Sequence, residues 1–227
     1  PIKSHSHSQC DHRKASRTTA SLKDVAEALS FPAKLFIDGK SVDAASGKSF
    51  DCINPGTGQV IAQIAEGDAE DINRAVAAAR RAFDKGHWSN MAPKDRKKVL
   101  IRMAELMDQH AEELALLETL DVGKPIGDSL AVDVPSSANC MRWYGEACDK
   151  VYDEVAPSGP NAFGTITREA IGVVAAVVPW NFPLLMACWK LGPALAAGNS
   201  VVLKPAEQSP LTALRIAELA MEAGLPE

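Results

Sequence analysis

The sequence lacks any apolar run that approaches the roughly 18 residues needed to span a bilayer. It also lacks a basic excess, since its 227 residues carry 24 Lys and Arg against 29 Asp and Glu, a formal net charge of −5. The first absence argues against a membrane-spanning protein and the second against a nucleic-acid-binding one. We therefore expect neither a membrane nor a nucleic acid among its partners.

Paired cysteines are missing as well. The sequence has an odd number of cysteines, and no two of them show C-x-x-C spacing; they are Cys10, Cys52, Cys140, Cys148 and Cys188. Disulfide frameworks are normally indicated by an even number of cysteines, and zinc sites by closely spaced cysteines. A reduced compartment, the cytoplasm, is the simplest expectation, with no resident transition metal. Hydrophobic content of 46% with 23% charged residues is typical of a globular protein.

The first 20 residues are polar and hold four basic residues against a single acid, Asp11. This composition predicts a disordered arm or a cloning remnant. An organellar presequence is the alternative, because such segments contain Arg and Ser and few acids. We expect no metal site at His5 and His7, since two isolated histidines leave coordination incomplete.

Residues 21–150 begin with a helix pattern and two hairpin signals. Ser21–Ser30 has the apolar spacing of a short amphipathic helix. Within residues 34–44, the pair Asp38-Gly39 predicts a type I′ hairpin turn. A second turn is predicted at residues 54–58, followed by a strand at Val60–Ile64.

Three helical segments follow in the same part of the chain. The first is predicted to run from a cap at Asp68 to Gly86. The second starts near Pro93, breaks near Gln109 and ends at Gly123, and the third covers about Ser136 to Lys150. The first helix has an apolar stripe with 3.6-residue spacing, made of Ile72, Ala75, Val76, Ala79 and Phe83.

Residues 151–170 and 171–227 differ from what precedes them. Val151–Val155 and Ala162–Arg168 are strand-like and predict a protruding antiparallel pair. From residue 171 the pattern becomes strand, helix, strand, helix. The strands are predicted at Val173–Val178 and Ser200–Leu203. One helix is predicted at Leu184–Ala197, and another starts from a Ser209 cap with Pro210 at its first position. Short connections make the two strands parallel, and further strands are expected to complete the sheet.

Two loops should leave the parallel strands at the same edge, where open α/β sheets bind ligands. They are Pro179–Pro183 and Lys204–Gln208. Lys204 and Glu207 together offer a donor and a carboxylate, as a ribose diol requires, and the negative charge disfavours a 2′-phosphate, so NAD is expected over NADP. A weak surface ion pair is the other interpretation of the same residues.

The first loop carries further candidates. The Asn181 side-chain amide is placed to stabilise an oxyanion, or it bonds its own backbone as a turn asparagine. Phe182, Met186 and Trp189 either line a substrate entrance or fill the core. Cys188 has no His or carboxylate within a helical turn, so we interpret it as a packing residue.

Five motifs together resemble the aldehyde dehydrogenase superfamily. They are Ile171–Leu184, with Pro-Trp-Asn-Phe-Pro at its centre, Trp189–Asn199, Lys204–Pro210, Asn54–Gly58 and Glu118–Pro125. The resemblance covers residues 35–227. It implies an α/β fold with an incomplete Rossmann-like parallel sheet, N-terminal helices and a protruding antiparallel oligomerisation arm. Residues 142–152 are more weakly similar to bacterial enzymes that act on γ-glutamyl-aminobutyraldehyde and other ω-amino aldehydes.

The resemblance also implies a role for each matching position. Asn181 would form part of the oxyanion hole for a cysteine thiohemiacetal. NAD would be bordered by Val178, Pro179, Trp180, Asn181, Lys204, Pro205, Ala206 and Glu207. The aldehyde would be bordered by Phe182, Met186 and Trp189. A monovalent cation site, as in some members, would involve Asp121, Gln208 and the backbone of Cys52 and Ile53. Residues 151–168 would form a homodimer or homotetramer.

The same resemblance places the family's nucleophilic cysteine, general-base glutamate and glycine-containing phosphate turn outside these 227 residues. The implied reaction, which converts an aldehyde, NAD and water into a carboxylic acid and NADH, needs those groups. We therefore expect this chain alone to be inactive. The alternative is a non-enzymatic short form that serves as an NAD-binding or subunit-interaction module.

Overall fold

A computed structural model describes residues 29–227 of the chain. The predicted N-terminal arm at residues 1–20, and nearly all of the helix predicted from Ser21, lie outside that range. Residues 29 and 30, the end of that predicted helix, have no regular secondary structure. Within residues 29–227, every helix is too short or too polar to cross a bilayer.

Two antiparallel hairpins open the described part. In the first, β1 (Leu35–Ile37) pairs with β2 (Lys40–Val42). Its turn residues Asp38 and Gly39 have φ angles of +54° and +69°, which a type I′ turn requires, so that prediction is confirmed. In the second, β3 (Ser49–Asn54) pairs with β4 (Gln59–Ala65) around the predicted turn.

Helix α1 (Ala69–Lys85) is capped as the sequence predicts. Asp68 accepts a hydrogen bond from the Glu70 N–H in a capping box, and Gly86 ends the helix at φ +76°. The predicted apolar stripe is only partly covered, because Ile72 and Val76 are 47% and 44% exposed. The buried polar residue on this helix is Asp71, whose carboxylate accepts the Ala45 N–H.

The helical core lies between α2 (Pro93–Gln109), α3 (Ala111–Val122) and α5 (Val134–Ala147). The break predicted near Gln109 is confirmed at His110. A short helix α4 (Ile126–Asp128) and a π-helical turn (Ser129–Asp133) join α3 to α5. Helix α5 begins at Val134, two residues before the predicted start at Ser136, and it ends at Ala147, before the predicted end at Lys150. The core side chains include Trp88, Leu100, Met103, Leu106, Met107, Leu114, Val134, Met141, Leu184, Ile216 and Leu219.

The antiparallel pair predicted between residues 151 and 168 is present but shorter. Strand β5 (Glu154–Ala156) pairs with β6 (Gly164–Ile166). Arg168 ties the pair together, since its guanidinium bonds the Tyr152 carbonyl and the Glu154 carboxylate. The pair carries exposed apolar side chains, among them Val155, Phe163 and Ile166.

The last unit is the predicted strand–helix–strand–helix. Strand β7 (Val173–Val177) and strand β8 (Ser200–Lys204) are parallel, joined by α6 (Pro183–Ala196) and followed by α7 (Leu211–Glu222). The predicted Ser209 cap is wrong. Helix α7 begins at Leu211, and no side chain next to it in the sequence caps it. The Leu211 N–H instead donates to the Asp121 carboxylate of α3 at 2.8 Å. A residue 90 positions earlier thus satisfies this helix end.

Candidate functional site

The two loops meet at one edge, as predicted. The last register pair of the parallel strands is Val177 with Lys204, and the Val178 N–H donates to the Lys204 carbonyl at 3.1 Å. Val178 is buried, whereas Trp180 and Asn181 are exposed. The pairing therefore fixes the loop bases side by side and leaves their tips accessible.

Ser209 connects the loops rather than capping a helix. Its N–H bonds the Ala206 carbonyl at 3.1 Å, which closes the turn after β8. Its hydroxyl lies 3.5 Å from the Trp180 carbonyl of the other loop. Because Ser209 is 1% exposed, these contacts are shielded from water.

Lys204 and Glu207 form an ion pair at the rim of this edge, the contact that the second interpretation of these residues describes. The hydrogen bond from Lys204 lowers the pKa of the Glu207 carboxyl, so it is charged at neutral pH. The side chains are 46% and 64% exposed, which leaves carboxylate lone pairs and ammonium protons available to a ligand. Ala206, which lies between them in the chain, is buried.

Asn181 presents its side chain to solvent. Among residues 29–227, no protein group is hydrogen-bonded to its side-chain amide, whereas its backbone carbonyl accepts from Lys124 Nζ at 3.4 Å. The turn-asparagine alternative, in which the side chain bonds its own backbone, is therefore not what this structure contains. The amide N–H groups are free to face a reacting oxygen.

Lys124 is a residue that the sequence reasoning missed. It follows the Gly123 cap of α3, and its ammonium lies 2.6 Å from the buried Asp133 carboxylate. The same ammonium lies 4.0 Å from the centre of the Phe182 ring. The only sequence signal was its position in the Glu118–Pro125 motif, which says nothing about these contacts.

Glu118 is the second missed residue. It is fully buried, and its Oε2 accepts hydrogen bonds from the Leu184 N–H of α6 and the Thr212 hydroxyl of α7, both at 3.3 Å. Its Oε1 has no hydrogen-bond partner among the described residues. Burial, reinforced by the nearby Asp133 charge, raises the pKa of Glu118 to about 7. The position of Glu118 within the mostly apolar segment 114–120 was the sequence signal that could have indicated a buried carboxyl.

The remaining candidates on α6 divide between surface and core. Phe182 and Trp189 are 39% and 52% exposed, and Met186 is half-buried, so all three border open space near Asn181 in the chain. Cys188 is fully buried, and burial raises its pKa well above the usual range. These observations confirm the packing interpretation of Cys188.

The residues of the expected cation site lie partly together. Asp121 is buried, and its two oxygens accept from Cys52 Sγ at 3.1 Å and from the Leu211 N–H. Ile53 and Gln208 are exposed. A monovalent cation would have to share these carboxylate oxygens with both hydrogen bonds. Over residues 29–227, no group of three His, Cys, Asp or Glu side chains is placed to hold a metal ion.

Sequence comparison relates the chain to one family. Residues 41–227 match the model of the aldehyde dehydrogenase family. The chain is 56% identical over 205 residues to the NADP/NAD-dependent aldehyde dehydrogenase PuuC of Escherichia coli, and 53% identical over 202 residues to aminoacetaldehyde dehydrogenase of Pseudomonas aeruginosa. These alignments cover 90% and 89% of this chain but 41% of each relative. The chain thus spans about two-fifths of the length of the relatives it matches.

Structural comparison agrees. An indole-3-acetaldehyde dehydrogenase solved with NAD+ is 59% identical with a TM-score of 0.90, and 91% of this chain matches 42% of that one. A γ-glutamyl-γ-aminobutyraldehyde dehydrogenase from Burkholderia cenocepacia is also 59% identical, with a TM-score of 0.89 over the same shares of the two chains. The mixed α/β fold expected from the sequence is therefore confirmed.

Proposed function

Because this chain belongs to the aldehyde dehydrogenase family, we propose that it is part of an enzyme that oxidises an aldehyde to a carboxylic acid with NAD. One observation carries the proposal. The exposed Asn181 amide and the Lys204–Glu207 pair extend from the same edge of a parallel sheet, one on each of two adjacent loops. That arrangement suits a dinucleotide beside a site where negative charge develops on oxygen.

The cofactor half of the proposal rests on Glu207 and Lys204. The charged Glu207 carboxylate can accept both hydroxyl protons of an adenosine ribose, and Lys204 can donate to the same diol. Val178, Pro179, Trp180, Pro205 and Ala206 would border the remainder. Bound NAD supplies the acceptor for the hydride that leaves the aldehyde carbon. Repulsion between Glu207 and a 2′-phosphate favours NAD over NADP, although the PuuC relative is named for both.

The substrate half rests on the neighbouring loop and helix. When a nucleophile adds to the aldehyde carbon, the carbonyl oxygen becomes an oxyanion, and the Asn181 amide N–H is the donor available to stabilise it. Phe182, Met186 and Trp189 would form the apolar wall around the aldehyde. Two relatives are named for amino aldehydes, so an ω-amino aldehyde is the proposed substrate class.

We propose that the nucleophile and the general base come from residues outside this sequence. Each of the four described cysteines has a raised pKa, and burial is the largest cause for each; they are Cys52, Cys140, Cys148 and Cys188. A thiol that stays protonated at neutral pH is a poor nucleophile. The 227 residues alone are thus proposed to be inactive. We also propose a cytoplasmic homodimer or homotetramer that buries the exposed apolar residues of the β5–β6 pair.

The test uses the full-length enzyme, assayed for NADH formation. Asn181→Ala is expected to lower kcat by about 100-fold or more, which is typical for loss of an oxyanion donor. Glu207→Gln is expected to raise KM for NAD by about tenfold, since a charge-assisted hydrogen bond contributes roughly 1.5–3 kcal/mol. Glu105→Gln is the matched control, because Glu105 forms an exposed surface pair with Arg102. Unchanged kinetics in both test variants would contradict the proposal.

A further inference from the structure

Lys124 lies behind the Asn181 loop, and its contacts connect that loop to the helical core. We infer that Lys124, held in place by Asp133, is a positioning residue that fixes the orientation of Asn181. The inference rests on the proposed function, because it assigns a purpose to the direction in which the Asn181 amide points. The proposed action of Lys124 is indirect, through its contact with the backbone of the loop.

The ammonium of Lys124 is itself immobilised. Only 16% of the Lys124 side chain is exposed, and the Asp133 side chain that it contacts at 2.6 Å is 2% exposed. Asp133 ends the π-helical turn between α4 and α5, so both its backbone and its carboxylate belong to the packed helical region. A shielded ion pair with a short contact is held far more firmly than a surface pair.

From this fixed point the ammonium makes two contacts with the loop. It donates to the Asn181 carbonyl at 3.4 Å and lies 4.0 Å from the centre of the Phe182 ring. An ammonium has three N–H donors, so the Asp133 bond leaves protons for both. The contact with the Asn181 carbonyl oxygen fixes the plane of the peptide between Asn181 and Phe182. The contact with the ring fixes the position of the Phe182 side chain.

The loop has few other polar contacts to set its conformation. Within residues 29–227, two hydrogen bonds reach residues 179–183 from outside the loop and its helix. Ser209 donates to the Trp180 carbonyl, and Lys124 donates to the Asn181 carbonyl. Phe182 has φ −143° and ψ 65°, outside helical geometry. Regular secondary structure therefore does not fix the direction of the Asn181 side chain, and the contact with Lys124 can.

A second carboxylate, Glu118 of α3, contacts the start of α6. Glu118, whose ionisation Lys124 favours and Asp133 opposes, accepts the Leu184 N–H three residues after Asn181. Lys124 thus holds the loop at the Asn181 carbonyl, and Glu118 holds it where the loop enters α6. Both contacts come from α3 or its C-terminal extension, so this helix serves as the support for the loop.

The test compares kcat with KM in the full-length enzyme. Lys124→Met combined with Asp133→Asn removes both charges of the ion pair together, so neither partner is left as a buried charge without the other. The expected result is a kcat about tenfold lower with an unchanged KM for NAD, since misplacing a catalytic group by a small distance costs rate. Lys98→Met is the matched control, because Lys98 pairs with Asp95 on the surface. Its kcat is expected to equal that of the wild type.

Two further measurements separate positioning from general damage. In an Asn181→Ala background, the Lys124/Asp133 change is expected to lower kcat no further, because the group that it positions is gone. An equal tenfold loss in that background, or an unchanged kcat in the double variant, would overturn the inference. A crystal structure of the double variant is independent of activity. Asn181 displaced there supports the positioning role even if wild-type enzyme makes no NADH, whereas an unmoved Asn181 refutes it.

Discussion

Glu118 offers the sharpest stability prediction, because a fully buried carboxyl should respond to pH in a direction that is fixed by its surroundings. Burial raises its pKa from 4.5 to about 7. The folded state therefore holds this proton more tightly than the unfolded state does. Raising the pH from below the unfolded value through the folded value removes stability, because the proton must be released from the folded protein.

The size follows from the two pKa values. At about 1.4 kcal/mol for each pH unit, the gap between 4.5 and about 7 corresponds to roughly 3 kcal/mol. That cost is absent below pH 4.5 and complete above pH 7. Glu118→Gln is neutral at every pH and keeps an oxygen to accept the Leu184 and Thr212 protons. The variant should therefore lose less stability than the wild type when the pH rises.

The assay is the free energy of unfolding of the full-length enzyme, measured by denaturant titration and compared between wild type and Glu118→Gln at about pH 5 and about pH 8. The difference between the proteins should shift in favour of the variant by up to about 3 kcal/mol over this range. Asp121, whose pKa burial also raises to about 7, contributes equally to both proteins and cancels. A pH-independent difference would refute the buried-carboxyl reasoning, and Glu105→Gln is the exposed control.

Two other predictions concern a helix end and a buried thiol. Gly86→Ala should lower the free energy of unfolding by about 1–2 kcal/mol, because φ is +76° and the new Cβ would lie 2.2 Å from Asn90 Nδ2. Gly127→Ala, where nothing lies within 4 Å, should have little effect on a denaturation curve, and equal losses would contradict the argument. Cys188→Ala should keep kcat unchanged while lowering the thermal midpoint; a loss of NADH formation with an unchanged midpoint would make Cys188 chemically active.

Features set by neighbouring residues could be predicted from the sequence. The Asp38-Gly39 turn, the Asp68 cap and the Gly86 helix end depend on side chains within a few positions, and each is where the pattern placed it. The parallel strands followed from an apolar run and short connections. They brought the Asn181 and Lys204 loops to one edge, as expected.

Features set by distant residues could not be predicted. The Ser209 cap was a sound local inference, but Asp121 lies where it can accept the first N–H of α7, so Ser209 bonds elsewhere. The same limit hid Lys124, whose partner in the loop is 57 positions away. Asp121 of α3 contacts the start of α7, and Lys124 just after α3 contacts the Asn181 loop. Both contacts depend on tertiary packing, which no local pattern encodes.

The apolar stripe of α1 shows the opposite limit. Its spacing correctly predicted a helix, but Ile72 and Val76 remain nearly half exposed while Asp71 is buried against Ala45. Periodicity identified the helix but not which of its residues are buried, and it did not indicate the hydrogen bond between Ala45 and Asp71.

We propose that Asn181 and the Lys204–Glu207 pair belong to one aldehyde-oxidising site. The most direct test incubates the full-length enzyme with NAD and an ω-amino aldehyde, and quantifies NADH together with the carboxylic acid. Both products are expected in equal amounts, and Asn181→Ala should form them far more slowly. Acid formed without NADH, or equal rates in the wild type and the variant, would contradict this proposal.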